Sequence, residues 1–596
     1  MTNKTIKLSL VACLLSTLNL NAKEDLGTIT VTSATKSEQS IKDITSSVDV
    51  ITATDLEERH VTTVTEALNL ISGISFTSNG GLGKTSSVRV RGFDSNRVLV
   101  LVDGIRYNDL TSTGGAVFES IMIDNIEQIE VIKGAQSGIW GADASAGVIN
   151  IITKKTEDGI HGSIQTEIGS FNTKKLFMNA AYKNDKFYAN ISHSKIRTDG
   201  FTAYAKKGDD IDDYEDDGYE NDASRIQLGY GFDDNNKVDF SYQVVEDENE
   251  SDSSRGDTDS ESTSKTKIAS IQYENISNNI TTNINVNRSD FLRKYPAYSS
   301  VYEGKIDEVG IKSNINYLDD SSFIIIGADY KKFDQEDIIN QDYTNKAVFI
   351  TNSNTLKENT ILTQSIRMDQ YSSFDNKLTG KLGVRHNYNQ DIYVLANAGT
   401  AYNVPTLGQM YGAFGANPDL NSETTKSYDF GFGYQDVKFT YFYNTITDMI
   451  SWSGSGYENI EGESKINGIE LSYKKDITED ILFNLAYTRL FKAEDNNGDD
   501  LTRRAKQTAK FGIDYYGIEK LHIGLNGEYV GERFNNSTKT QQTGKYTVVN
   551  LVTNYDISNN IKIYAKIENI TNKYYQTVTN YATSPRAYYA GLKYSF

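Results

Sequence analysis

The sequence predicts an all-β transmembrane barrel of about 22 antiparallel strands, with an N-terminal α+β plug domain inside its lumen. Three observations predict it. From about residue 160 onward apolar and polar side chains alternate, as Phe187, Ala189 and Ile191 do against Tyr188, Asn190 and Ser192. The chain is 596 residues long with only 38% apolar residues, yet it carries 39 Tyr, 24 Phe and 45 Gly against 4 Pro. A disordered chain is poor in aromatics, so this composition fits strands with one apolar and one wet face. Last, Tyr589-Ala590-Gly591-Leu592-Lys593-Tyr594-Ser595-Phe596 alternates aromatic residues and ends on Phe. A soluble sandwich would share the first two features; this closing pattern separates the two.

Taken in order, residues 1–22 read as a secretory leader: Lys4 and Lys7, an apolar run from Leu8 to Leu15, then Asn21-Ala22 before Lys23. A lipoprotein box at Leu10-Val11-Ala12-Cys13 is the minority reading, because the apolar stretch continues past Cys13. Cys13 is the only cysteine, so removal of the leader leaves none, which suits an oxidising compartment. No later stretch reaches the ~18 uninterrupted apolar residues of a transmembrane helix.

Residues 23–35 form a separate N-terminal segment. Residues 36–155 have the texture of a small α+β domain. Val98-Leu99-Val100-Leu101-Val102 is a buried strand ending at the turn pair Asp103-Gly104, Thr62 to Leu70 reads as a short helix, and Gly147 to Thr153 is a second buried strand. Residues 156–596 supply about 22 strands at roughly 20 residues per strand and connection, an even number as closure requires. So wide a barrel leaks unless something fills it.

Composition and motifs exclude several functions. The balance of 60 Lys+Arg against 80 Asp+Glu gives −20, and no basic cluster exists to bind a nucleic-acid backbone. No Ser/His/Asp motif, no His-Glu-x-x-His and no mature thiol supports an enzyme. Ser78-Asn79-Gly80-Gly81-Leu82-Gly83-Lys84-Thr85 nearly matches a P-loop, but Ser78 stands where the first Gly is needed. The glycines read instead as a flexible apex at which backbone approaches a ligand.

Over its mature length the chain resembles the TonB-dependent outer-membrane receptors. The resemblance rests on Arg89-Val90-Arg91-Gly92, Val98 to Arg106, Ile129-Glu130-Val131-Ile132-Lys133-Gly134 and Trp140 to Thr153 in the plug. In the barrel it rests on Ala401-Tyr402-Asn403-Val404-Pro405, Asn417-Pro418-Asp419-Leu420 with Glu423, and Asn569 and Tyr575. Ala135 departs from a common Pro after Lys-Gly, which affects one turn. The resemblance implies active transport across the outer membrane. It also implies coupling to the inner-membrane-energised partner TonB, and contact with outer-membrane lipid and the barrel assembly machinery that reads the last strand. Leu26-Gly27-Thr28-Ile29-Thr30-Val31-Thr32-Ser33 resembles the TonB box, whose Thr, Ile and Val favour an extended segment able to join a partner's sheet edge; the other reading is a first plug strand. Arg89 and Arg91 read as salt-bridge anchors between plug and barrel.

Among these receptors the chain is most similar to those for cobalamin, through Asn79-Gly80-Gly81, Asp103 to Asn108, Leu407-Gly408-Gln409-Met410-Tyr411-Gly412 and Leu501 to Gln507. The resemblance implies ligand contacts at two plug apices, through Asn79, Gly80, Gly81, Lys84, Thr85 and Ser86 and through Tyr107, Asn108 and Ser112. A ferric-siderophore receptor is the alternative; its anionic cargo fits the acidic exterior less well. No cofactor is required. The acidic run Asp209 to Asp222 suggests calcium in the extracellular loops, with Glu215, Asp217 and Asp247 matching the family positions, although a carboxylate expected near Thr202 is missing. A solvated acidic loop fits the same residues. The five histidines match no haem motif.

Overall fold

A computed structural model describes residues 29–318, 321–357 and 359–596. Among them, 22 strands from Gly159–Gly169 to Ala587–Ser595 pair antiparallel in chain order and close into a barrel. The closing pair sets Ser163 opposite Ser595 and Gly169 opposite Tyr589. Period-two alternation does here what the sequence implies: Ile191 points outward, 56% exposed, between buried Asn190 and Ser192. Along the last strand Tyr588, Leu592, Tyr594 and Phe596 all face out. No described helix is long and apolar enough to cross a membrane; the strands do so.

The two rims differ. Connections at residues 184–186, 435–436 and 519–520 are short, whereas 199–218, 404–422 and 569–586 are long. Short turns mark the periplasmic rim and long loops the extracellular one. Strands Gly256–Ser277 and Tyr457–Thr478 reach 22 residues, twice the ~9–11 that cross a bilayer, so their hairpins stand well clear of the membrane.

The lumen holds the plug. Its five-stranded sheet has the order Val48–Thr52, Ile126–Lys133, Gly147–Thr153, Val98–Val102, Ile105–Arg106. Val98–Val102 lies parallel to Gly147–Thr153 and is buried throughout, which is why it reads as an unbroken apolar run. Asp103 and Gly104 both take positive φ (50° and 81°), the geometry of a tight hairpin turn joining Val102 to Ile105. Helix α1 (Ala53–Arg59) starts at a capping box between Thr52 and Asp55. Helix α2 (Val64–Leu68) is shorter than the expected Thr62–Leu70 span; its N-cap, Thr63, accepts from Glu66 N. The plug core, including Leu68, Val100, Phe118, Ile129, Val131 and Ile149, continues into barrel residues Phe442, Ile446 and Ile466. Plug and barrel therefore share one hydrophobic core.

Candidate functional site: two plug apices beneath the extracellular loops

The first apex joins strands Ile74–Ser78 and Ser86–Val90. Gly83 must be glycine: its φ is +77°, and a Cβ would fall 2.0 Å from the Tyr219 ring. Phe201 sits against Gly81 and Ala203 against Gly80, so loop 199–218 folds inward over this apex. Loop 569–586 joins it. Thr577 Oγ1 accepts from Ser78 N (2.9 Å) and donates to Ser78 O (2.8 Å), while Ala582 N donates to Ala203 O (2.8 Å). Thr85 is exposed; Asn79, Gly81 and Ser86 are half-buried, and Gly80 is buried. Lys84 is buried and turned away from the mouth. Its Nζ donates to Gly218 O and to Asn249 Oδ1, both at 2.9 Å, tying the apex to the loop and the neighbouring hairpin. Burial lowers its pKa to about 8, against the pull of Asp217, Glu250 and Asp252.

The second apex spans residues 107–115. Tyr107 and Asn108 are buried; the Asn108 amide accepts from Val100 N (2.7 Å) and donates to Val98 O (2.9 Å), so it shapes the loop from within. Asp109 accepts from Thr111 N and Oγ1, both at 2.7 Å, and pairs with Arg293 at 2.9 Å. Leu110 packs with Phe291, Phe333, Tyr343 and Leu407. Leu407 opens α3 (Leu407–Tyr411), so loop 404–422 caps this apex. Ser112 is half-buried and leads to the exposed tip Thr113-Gly114.

The predicted calcium residues do not come together as a trio. Glu215 groups instead with Asp252 and Asp257 of the next hairpin, their oxygens all within 4.8 Å of one another. Asp217 turns inward, where its carboxylate accepts from Ala203 N at 2.6 Å. Asp247 lies deeper and accepts from Tyr219 OH, Asn221 Nδ2 and Ser264 Oγ at 2.5, 2.6 and 2.7 Å. A hydrogen bond with Asp259 and repulsion from Asp259, Asp257 and Asp252 push Glu215 up to about 7. Burial, then Asp252, pushes Asp217 to about 7 as well. Three converging carboxylates are a hard-oxygen donor set of the type calcium takes. Asp252 and Asp257 escaped sequence reasoning because they approach from a separate hairpin.

Below the apices buried guanidinium forks fix the plug to strands Glu423–Tyr434 and Tyr457–Thr478, and further ion pairs such as Lys175–Asp124 (2.7 Å) tie it elsewhere on the barrel. Arg91 forks onto Glu470 (2.9 and 3.0 Å) and reaches Asp429 at 2.8 Å; burial opposes its charge, but the two carboxylates outweigh it and hold its pKa above the ordinary value. Arg97, which the sequence did not single out, forks onto Glu423 with two 2.8 Å bonds. Arg89 stays within the plug, donating to Asp94 and Thr77. Arg91 and Arg97 have guanidinium geometry suited to such bidentate pairing.

At the periplasmic end the described part of the N-terminal segment is folded down. Thr30–Val31 pairs with Gln39–Ser40, and the Glu130 carboxylate accepts from Thr32 N (3.0 Å), Ser33 N (2.8 Å) and Ser33 Oγ. Trp140 Nε1 donates to Ser33 O at 2.8 Å. Ile29 is partly exposed; Leu26, Gly27 and Thr28 lie outside the described residues.

Comparisons with known proteins agree with this architecture. Residues 167–570 match the family model described as TonB dependent receptor-like, beta-barrel, and residues 40–148 match the TonB-dependent Receptor Plug Domain. The chain is 28% identical to the Vitamin B12 transporter BtuB of Vibrio vulnificus (strain CMCP6), over 95% of each chain. It is 26% identical to the protein of that name from Photobacterium profundum, over 96% of each. Among solved structures it is similar to the siderophore receptor PirA from Acinetobacter baumannii, with TM-score 0.81, 17% identity and coverage of 92% of this chain and 98% of that one. A ferric enterobactin receptor (PfeA) mutant from Pseudomonas aeruginosa gives TM-score 0.79 at 16% identity, covering 92% and 99%. A plugged 22-stranded barrel matched in both of its parts belongs to the TonB-dependent receptor family: the chain is an outer-membrane transporter coupled to TonB, not an enzyme.

Proposed function

We propose that this transporter binds and imports cobalamin or a related corrinoid. The observation that carries the reading is the chemistry at the apices: Asn79, Gly81, Thr85, Ser86 and Ser112 offer uncharged polar groups beneath an acidic loop. Such groups suit an amide-fringed macrocycle, whereas an anionic ferric catecholate favours arginine and meets repulsion at this mouth. Full-length similarity to the B12 transporters supports the same reading; the siderophore receptors share the fold at lower identity. Lys84, Tyr107, Asn108 and Gly80 support the apices from within, so they contribute through backbone position and loop docking. Binding then requires loops 199–218 and 569–586 to part. Calcium held by Glu215, Asp252 and Asp257, with Asp217 alongside, would fix the first loop. Residues 26–33 would pass to TonB as an added strand.

The test is equilibrium binding of cyanocobalamin against a panel of ferric siderophores on the purified protein. Tight cobalamin binding and none of the chelates supports the reading; tight binding of a ferric chelate with micromolar or weaker cobalamin binding replaces it with the siderophore alternative.

A further inference from the structure

The plug meets two sectors of the barrel wall differently. Toward strands Glu423–Tyr434 and Tyr457–Thr478 it is held by the buried forks of Arg91 and Arg97, and Ser145 Oγ donates to Asn403 Oδ1 at 2.9 Å on the adjoining strand Ile392–Asn403. Toward strands Gln507–Ile518, Leu521–Val530, Tyr546–Ser558 and Ile561–Glu568 it leaves a void of about 310 Å³. That void starts under Gly80–Gly83 and Phe201 and runs down to His60 and Thr62 at the end of α1. Its walls mix apolar side chains, among them Phe76, Phe511 and Val552, with the polar Asn69, Glu528 and Lys566. Thr65 and Asn69 line it, and Thr65 Oγ1 and Asn69 Oδ1 have no hydrogen-bond partner among the described residues, as in a space that takes up water.

We infer that this seam is the path by which cargo passes the plug, and that the moving part is the α1–α2 segment rather than the whole domain. The void lies at the bottom of the ~300–1,000 Å³ range that encloses drug-sized ligands, so a macrocyclic chelate passes only when the seam widens. Contacts across it include hydrogen bonds from single side chains, Asn69 to Glu528 (3.0 Å), Lys566 to His60 O and Thr62 Oγ1, and Lys510 to Ile71 O and Ile74 O. At its foot His60 stacks on Tyr564 (3.5 Å between ring centres) and bonds Asn554 Oδ1 at 2.5 Å. On the α1–α2 segment the ion pairs to the barrel include Arg59–Asp514 and Glu57–Lys593 at the periplasmic foot of α1, while Arg504–Asp94 (2.6 Å) holds the plug outside that segment. The first apex opens directly into the top of the seam, so a ligand released there enters it without crossing the anchored wall.

The inference rests on the transport reading but not on which chelate is carried. Cys13 is the only native cysteine and lies in the predicted leader, so introduced pairs stand alone. Asn69→Cys with Glu528→Cys spans the seam; Ser145→Cys with Asn403→Cys spans the anchored wall. Each pair is bridged by a short methanethiosulfonate linker in cells that carry it as their only copy. Surface binding and uptake of radiolabelled cyanocobalamin and of ferric enterobactin are then measured. The bridged seam variant keeps binding and loses uptake, which a reductant restores; the bridged wall variant keeps both. Uptake through the bridged seam, or its loss in both variants, overturns the route. Absence of cyanocobalamin binding in every unbridged protein overturns the cobalamin reading alone, and ferric enterobactin then reports on the route.

Discussion

Arg91 has a geometry whose loss has a calculable consequence. Removing its guanidinium leaves Asp429 and Glu470 buried with Lys133 and Lys381 as the cations beside them among the described residues. Breaking one partner of a buried pair costs about 3–5 kcal/mol, so Arg91→Ala loosens the plug far more than a surface change does. Calorimetry of the purified protein and increased entry of large antibiotics into cells check this. A more conservative change acts at Gly83, where alanine meets both a positive φ and the Tyr219 ring, so loop 199–218 lifts and becomes cleavable by added protease. The same loop carries a pH dependence. Glu215 and Asp217 are raised to about 7 by Asp252, Asp257, Asp259 and burial, so the docked loop favours their protonated forms. Docking is therefore complete below the ordinary carboxyl range near ~4 and is lost as pH rises through about 7. Lys84, at about 8, titrates above most of that window. Protease cleavage of the loop should rise between pH 5 and 8, and millimolar calcium should suppress the rise if the carboxylates hold it. A cleavage rate flat across this range sinks the linkage.

The described part of the N-terminal segment is docked through few groups. Thr30–Val31 has only a two-residue partner, and beyond it the hold on Thr32 and Ser33 is one carboxylate, Glu130, and one indole, Trp140. Deleting Leu26–Ser33 should abolish uptake and leave ligand binding intact; uptake that survives shows energy coupling elsewhere. Elements of this kind also mark where sequence reading stops. The strands were legible because each has a dry and a wet face, and Val98–Val102 because burial on both faces leaves it wholly apolar. The Asp103-Gly104 turn was legible from its residue types alone. Helix α1 carries its signal in the Thr52/Asp55 capping box, and α2 ends at Leu68 because Leu70 and Ile71 tighten to i→i+3 bonds with Ala67 O and Leu68 O. The acidic cluster was half legible. Glu215 was found in its run, but Asp252 and Asp257 reach it only through hairpin registers that local pattern does not encode. The inward fold of loops 199–218 and 404–422, which covers Lys84 and Leu110, depends on contacts far apart in the sequence.

For the whole molecule the decisive step is closure, and it rests on the final strand. Phe596 exchanges both backbone hydrogen bonds with Gly162, each 3.0 Å, and its ring lies over that glycine, where a Cβ would come within 2.4 Å. Yet Phe596 is half exposed and sits beyond the last of the seven register pairs that join Ser163–Gly169 to the terminal strand. Its energetic share in a closed 22-stranded barrel is small, because every other pairing survives its removal. An outward aromatic terminus is nevertheless what the resemblance assigns to the assembly machinery. The two roles separate experimentally. Deleting Phe596 should sharply lower the amount of folded, heat-modifiable barrel in the outer membrane, while the same truncated chain refolds in detergent at close to the full-length yield. Equal loss in cells and in detergent would reduce Phe596 to a closure contact, and equal retention in both would remove it from assembly altogether.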